Sequence, residues 1–388
     1  MITARTGEID DIGAAMADLL VQIDAGGPLR KHSVGLISCF ADFISSGLVK
    51  ELAEKLPFEI VGTTTLASED VGGMGETLLV LTVLTSDELE FVTGLTGVIT
   101  GEDPELLRPA YKKASENRQE KPALMLGFVP LLMNVSGDFF AEAWSDITGN
   151  VPIFGTVAVD HNSDYHESQT ILNGETFRDR FVFVLVYGNI KPSFIIGGIS
   201  ENKVFREKGV VTASRGNQLQ EVNGISVADY LASLGLPKDE KGVIMGINSF
   251  PFILDYNDGA QPVIRVMFAI TPEGYAVCGG KMPVGASLTV GSIDGDEVLS
   301  TTGETLKLAL AIGESNGNNN GILIFSCVGR FFAQGFDSAA EMKKAKDVIG
   351  NKLPFHFLYS GTELCPVYGN NGAIFNRSHN DTIAICIF

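Results

Sequence analysis

Basic residues are scarce in this 388-residue chain: 28 Lys and Arg stand against 47 Asp and Glu, a formal net charge of -19. Such a surface repels phosphate backbones and anionic lipid, which excludes nucleic acid and membrane surfaces as expected partners. Long apolar runs are missing as well. Hydrophobic residues make up 45% of the chain, yet windows such as 181–187 and 322–325 fall far short of the roughly 20 residues a spanning helix needs. The start of the chain has Arg5 but then Glu8, Asp10 and Asp11 instead of an apolar stretch, so no secretory signal is read and the cytoplasm is expected.

Cysteines are few, odd in number and never spaced as CxxC. Cys39, Cys278, Cys327, Cys365 and Cys386 lie in apolar, strand-like surroundings, which fits reduced thiols and argues against a disulfide frame or a structural zinc. Phosphate-cradling loops are absent too: Gly72-Gly73-Met-Gly75 and Gly197-Gly198 read as turns between strands. Ser326 and Ser360 carry no nucleophile-elbow signature.

What the sequence does contain is self-similarity. Ser33-Val-Gly-Leu-Ile-Ser-Cys39 reads as a buried strand, followed by a loop, a helix over 48–56, and Leu56-Pro57-Phe58-Glu-Ile-Val-Gly-Thr63. Near the other end, Gly321-Ile-Leu-Ile-Phe-Ser-Cys327 precedes a helix over 339–349 and Leu353-Pro354-Phe355-His-Phe-Leu-Tyr-Ser360. A weaker copy runs through Ala123-Leu-Met-Leu-Gly127, a helix over 139–147 and Val151-Pro152-Ile153-Phe154-Gly155, and a fainter start is Val243-Ile-Met-Gly246. Proline at the head of each second strand suits a position with no ladder donor, just after a helix ends. Unbroken apolar runs imply strands covered on both faces. The expected fold is α/β, with two domains whose mixed, largely parallel sheets are built from repeated strand-helix-strand units. In such sheets ligands gather beyond the strands' carboxyl ends, at the loops after Cys39, Gly127 and Cys327.

Other segments read as antiparallel extension: 77–85, 181–188 and 193–214. A hairpin turned at Asn223-Gly224 leads into a helix over 227–234. The domain boundary is placed here, giving 1–218 and 219–388. Asn-rich 316–320 is a polar loop leading to the last unit.

The N-terminal half, through Gly62-Thr-Thr-Thr-Leu-Ala-Ser-Glu69 and Pro152-Ile-Phe-Gly-Thr-Val-Ala-Val-Asp160, resembles the FIST N-terminal domain. The C-terminal half resembles the FIST C-terminal domain through Glu221-Val-Asn-Gly224, Met282-Pro-Val-Gly285, Phe325-Ser-Cys-Val-Gly-Arg330, Tyr359-Ser-Gly-Thr-Glu363 and His379-Asn-Asp-Thr382. The family usually has Gly before this Glu, where this chain has Thr362. The resemblance implies a sensory, ligand-binding module of signal transduction, with small molecules such as amino acids as ligands and, in some members, haem. No segment reads as a kinase, cyclase or chemotaxis output, so a separate signalling protein is the expected partner.

Cys327, Arg330, Tyr359 and Glu363 form the candidate ligand site. Arg330 is placed to grip a carboxylate with a two-pronged hydrogen bond and Glu363 to receive an amine; the alternative is that the two pair with each other. Tyr359 is either a rim hydroxyl or core. Cys327 beside Arg330 would have a depressed pKa and serve as a nucleophile; the alternative is a small buried hydrophobe, with His356 the nearby base candidate yet placed on a strand. His161 and His166, with Asp160 and Asp164, read as a solvated loop rather than a metal site, because a five-residue step is not a ligand spacing. For haem, His32, His161, His166, His356 and His379 all stand as axial candidates, and no CxxCH word exists.

Overall fold

The computed structural model describes residues 1–162, 164–236, 245–335 and 337–388. Among them, strands form three six-stranded sheets and one of eight strands. Val243 and Ile244, the start of the faint fourth copy, lie outside the described residues.

The three six-stranded sheets share one plan. In the first, His32–Cys39 and Glu59–Thr64 run parallel, joined by the helix Leu48–Lys55; Leu79–Ser86 returns antiparallel beside the former, and Ile2–Thr6 forms the edge. The second pairs Leu124–Val129 with Ile153–Val157 across the helix Gly137–Thr148, with Val182–Tyr187 and Glu90–Leu95 alongside. The third pairs Ile322–Cys327 with Phe355–Ser360, followed by Ile383–Ile387 and Ser193–Gly197. Each sheet therefore holds a single parallel pair, and its other pairings are antiparallel. The expected predominance of parallel strands is not what the ladders show, because each strand pair returns by a short antiparallel strand instead of a further crossover helix.

Each sheet is completed by a hairpin from another part of the chain. The second strand of the first sheet is paired by Thr170–Leu172, that of the second by Glu363–Tyr368, and that of the third by Ser68–Asp70. An unpaired strand flank leaves a row of free N–H and C=O groups, and these hairpins remove it. They also carry pairings across position 218, where a boundary between domains is expected; that position lies at the start of the strand Gln218–Val222.

Apolar faces from all three sheets meet in one central core that includes Leu36, Leu126, Phe154, Val184, Phe325 and Leu358. Phe154 and Phe325 stack there at 4.5 Å. The outer faces pack against helices in separate clusters. Strands buried on both sides explain the unbroken apolar runs.

Register corrects the equivalence of the two Ser-Cys words. Val34 pairs with Glu59, two residues after Pro57, whereas Leu323 pairs with His356, two residues after Pro354. Cys327 thus corresponds to Ser38, and Cys39 lies one residue further on. Since side chains alternate, the two cysteines point to opposite faces. Cys39 packs with Ile37, Phe43 and Leu48 under the helices.

Between Ser193–Gly197 and the long helix Gly295–Asn316, the chain builds the eight-stranded sheet around its own core of Val211, Leu231, Phe252 and Met267. Its end strands Val263–Arg265 and Met267–Ile270 are separated only by Val266, so the strand path begins and ends in one stretch of chain. The hairpin at Asn223-Gly224 is present, both residues having positive φ, as a two-residue turn of this twist requires. The helix that follows spans Val227–Ser233. Asp294 caps the long helix by accepting from the Glu297 amide at 2.8 Å.

A buried ion pair ties this unit to the second sheet's helix. An Arg265 terminal N–H donates to Asp138 at 2.6 Å, and the other Asp138 oxygen accepts from the Lys281 amide at 2.7 Å. Arg265 also donates to the Ser378 carbonyl and the Tyr256 hydroxyl. Removing one partner of such a pair strands a buried charge. Asp138→Ala should cost about 3–5 kcal/mol in urea unfolding, and adding Arg265→Met should recover most of it.

Glu69, on the hairpin strand Ser68–Asp70, is fully buried and neither carboxyl oxygen has a hydrogen-bond partner among the described residues. Burial, reinforced by Asp70 and Asp347, raises its pKa to about 9. The folded state therefore holds a proton that the unfolded chain releases above the ordinary carboxyl value of 4.5. Stability falls as pH rises from there to about 9. Glu69→Gln should flatten this slope and raise the melting temperature at pH 8, measured against wild type from pH 5 to 9.

Candidate functional site

Three C-terminal words converge at one end of the third sheet. The Cys327 amide donates to the Thr382 carbonyl at 2.9 Å, Cys327 pairs in register with Ser360, and Glu363 pairs with His379. Cys327, Arg330, Tyr359 and Glu363 are all buried. They are neighbours, but they do not form a ligand grip.

Arg330 is spent on the protein. Its Nε donates to Glu341 at 2.9 Å, and its terminal nitrogens donate to Thr301, Thr302 and the carbonyls of Val298 and Gly198. Glu341 also accepts from Ser326 at 3.0 Å and from Thr302 at 2.8 Å. The ion pair expected between Arg330 and Glu363 is instead made with Glu341, which joins the helices Val328–Ala333, Ala340–Ile349 and Gly295–Asn316. No guanidinium face remains for a ligand carboxylate.

Glu363 accepts from Thr382 at 2.8 Å through one oxygen; the other has no partner among the described residues. Burial pushes its pKa well above the carboxylate range, with Asp381 adding to the rise. Asp381 itself is buried, held at φ +50°, and raised to about 7 by the same desolvation. Gly329 is required beside it: a Cβ there would lie 2.0 Å from Asp381 Oδ1.

The Cys327 thiol is pushed well up by burial and by the carboxyls of Glu363 and Asp381. The depressed pKa expected from Arg330 is absent because that charge is already neutralised by Glu341. Tyr359 buries its ring in T-shaped contact with Phe331 and Phe357, and its hydroxyl accepts from Gln334 at 2.9 Å. His356 lies in the interior, its Nε2 2.6 Å from the Ser38 hydroxyl, and burial lowers its pKa to about 3. His379 is likewise buried and lowered to about 3.

An open cleft of about 520 Å³ sits over this end of the sheets, lined by Phe40, Leu66, Glu76, Thr77, His161, Asn162, Tyr165, Phe331 and Phe332. Phe40 follows Cys39 directly, and Phe331 and Phe332 follow Cys327 by four and five residues, so the segments after two of these strand ends line it, the second as the helix Val328–Ala333 and not as the expected loop. Leu66, Glu76 and Thr77 come from either side of the strands Ser68–Asp70 and Gly73–Gly75, and a further contribution comes from beyond the strand Ile153–Val157 instead of the loop after Gly127.

That contribution is shaped by Asp160. Its carboxylate is fully buried and accepts from the Asn162 and Glu167 amides, each at 2.6 Å. The loop so wound sets the His161 ring 4.2 Å from Phe40 and Tyr165 at φ +53°, a strained conformation for a residue with a Cβ. Burial raises the Tyr165 phenol to about 12, with Cys327 and Asp160 contributing. His166 points elsewhere, 2.7 Å from Asp164. Aromatic residues scattered over three segments carry no local sequence signal, which is why this wall was not legible; the His161 segment was the one visible trace.

Comparison with known proteins adds a family. The FIST N domain matches residues 33–225 and the FIST C domain residues 227–366. No curated protein matches. A solved cyanuric acid hydrolase from A. caulinodans aligns over 99% of this chain and 97% of its own, at 10% identity and a TM-score of 0.36.

A thiol this buried should resist iodoacetamide at pH 7.5 in the folded protein. Peptide mass spectrometry should find Cys327 modified only after denaturant is added; rapid labelling of the native protein would restore it as a nucleophile.

Proposed function

The chain belongs to the FIST family, and from that premise we propose that it is a small-ligand-binding sensory protein whose ligand sits in the aromatic cleft. FIST domains are associated with sensing in signal transduction and with small-ligand binding. The supporting observation is the cleft itself: its volume falls in the range of small-molecule sites, and its lining mixes apolar rings with a few polar groups. An amino acid or a related small metabolite fits that volume.

On this proposal, Arg330, Glu363, Tyr359 and Cys327 support the floor beneath the ligand. The short helix Val328–Ala333 presents Phe331 and Phe332 to the cleft and Arg330 to the interior. Ligand contact with the two rings would bear on the Arg330–Glu341 pair, and through it on the helices that a separate signalling protein would read. The alternative of a haem-based sensor is favoured by one residue, since His161 is the histidine that lines the cleft. Its imidazole would be the group to hold the haem iron at this wall, beside Phe40.

Thermal-shift screening of amino acids, small carboxylates, amines and haem tests these readings together. A true ligand at a hundred times its Kd should add about 2.7 kcal/mol of stability. Phe332→Ala, at an exposed position, should abolish most of that shift, and equal stabilisation of both proteins would remove the cleft from the site. Haem should give a Soret band that changes in His161→Ala; no band on titration ends that alternative.

A further inference from the structure

We propose that the ligand of this cleft is an organic cation, a substituted ammonium held by ring faces and a carboxylate; the inference rests on the cleft being the ligand site. Four rings besides His161 line it: Phe40, Tyr165, Phe331 and Phe332. Phe331 stands at 83° to Phe332, so these two rings do not form one flat wall. A ring that turns its face to the cleft offers the negative end of its quadrupole to a cation.

The charged lining has one sign. Glu76 lines the cleft, with one oxygen accepting from the Ser338 hydroxyl at 2.7 Å, and among the described residues no Lys or Arg lines it. Arg330, one residue before Phe331, is turned away and compensated by Glu341. Behind the lining residue Asn162, the buried Asp160 accepts from the Asn162 and Glu167 amides. A ligand carboxylate would enter this space against Glu76 with no cation to meet it. An ammonium would gain from the rings, from Glu76, and from the chain's net charge of -19, which concentrates cations near the surface.

Thr77 and Asn162 add neutral hydrogen-bonding groups at the same wall. They would take a hydroxyl or amide on the ligand's uncharged end. Trimethylammonium compounds and alkylamines share the chemistry required; their N-methyl or N–H groups distinguish them in the test.

Isothermal titration with choline and with its uncharged carbon isostere, 3,3-dimethylbutan-1-ol, isolates the charge. Tetramethylammonium and butylamine serve as the methylated and protonated arms. Choline should bind about tenfold more tightly than the isostere. Glu76→Gln should weaken choline several-fold while leaving the isostere unchanged, and Phe332→Ala should weaken both. Equal affinity for choline and isostere, with both lost in Phe332→Ala, overturns the cation class while the cleft stands as the ligand site. Binding of carboxylates in preference to ammonium probes also overturns it. If no ammonium probe binds, the inference fails, and the Phe332→Ala comparison across the wider screen decides separately whether the cleft is the site.

Discussion

Everything in this protein depends on backbone hydrogen bonds exchanged between distant parts of the chain. Each of the three six-stranded sheets has a parallel pair whose second strand would end in an open ladder, and each ladder is closed by a hairpin lent from elsewhere. A strand flank buried without partners would cost several unsatisfied amides and carbonyls at once. The central core of Leu36, Phe154, Phe325 and Leu358 gathers because the sheets are locked in this cycle. The cleft lies where these exchanges bring separate segments, around Phe40, Leu66, Glu76, His161 and Phe331, to one end.

Polar groups follow a division between floor and wall. Arg330, Glu341, Thr301 and Thr302 satisfy one another in the interior, and what they provide is position for the short helix that carries Phe331 and Phe332. Glu363 and Asp381 remain incompletely paired and bind protons more tightly than ordinary carboxyls. The wall, by contrast, consists of rings, small polar groups and the single carboxylate of Glu76. Burial decides which residues hold the site and which can touch what enters it.

The elements were legible where local patterns are strong. The strand ending at Cys39, the helices near 48–56 and 339–349, the prolines heading second strands and the Asn223-Gly224 turn all follow from apolar runs, amphipathic spacing and turn chemistry. The eight-stranded unit was not, because its strands are short and their order in the sheet departs from their order along the chain. The words Ser-Cys were legible but out of phase by one residue, and in a strand one residue exchanges the two faces. Around the candidate site, the last repeat unit placed Cys327, Arg330, Tyr359 and Glu363 on neighbouring strand ends, yet could not show that Glu341, eleven residues past Arg330, takes its charge. Nor could it assemble Phe40, Tyr165 and Phe332, whose meeting is purely tertiary.

The exchanged hairpins also set a timetable for folding. Ser68–Asp70 leaves the ribosome early but pairs with Phe355–Ser360, almost 290 residues later, and the strand of the second sheet waits likewise for Glu363–Tyr368. Such separations make for slow closure, since the entropy of the intervening loop must be lost before any ladder forms. Until the last strands emerge, the nascent chain presents unpaired edges flanked by apolar faces, the condition under which chains associate with one another. A protein wired in this way reaches its native state only after Phe355–Ser360 and Glu363–Tyr368 have been made, and its chief exposure to aggregation lies in the interval before them.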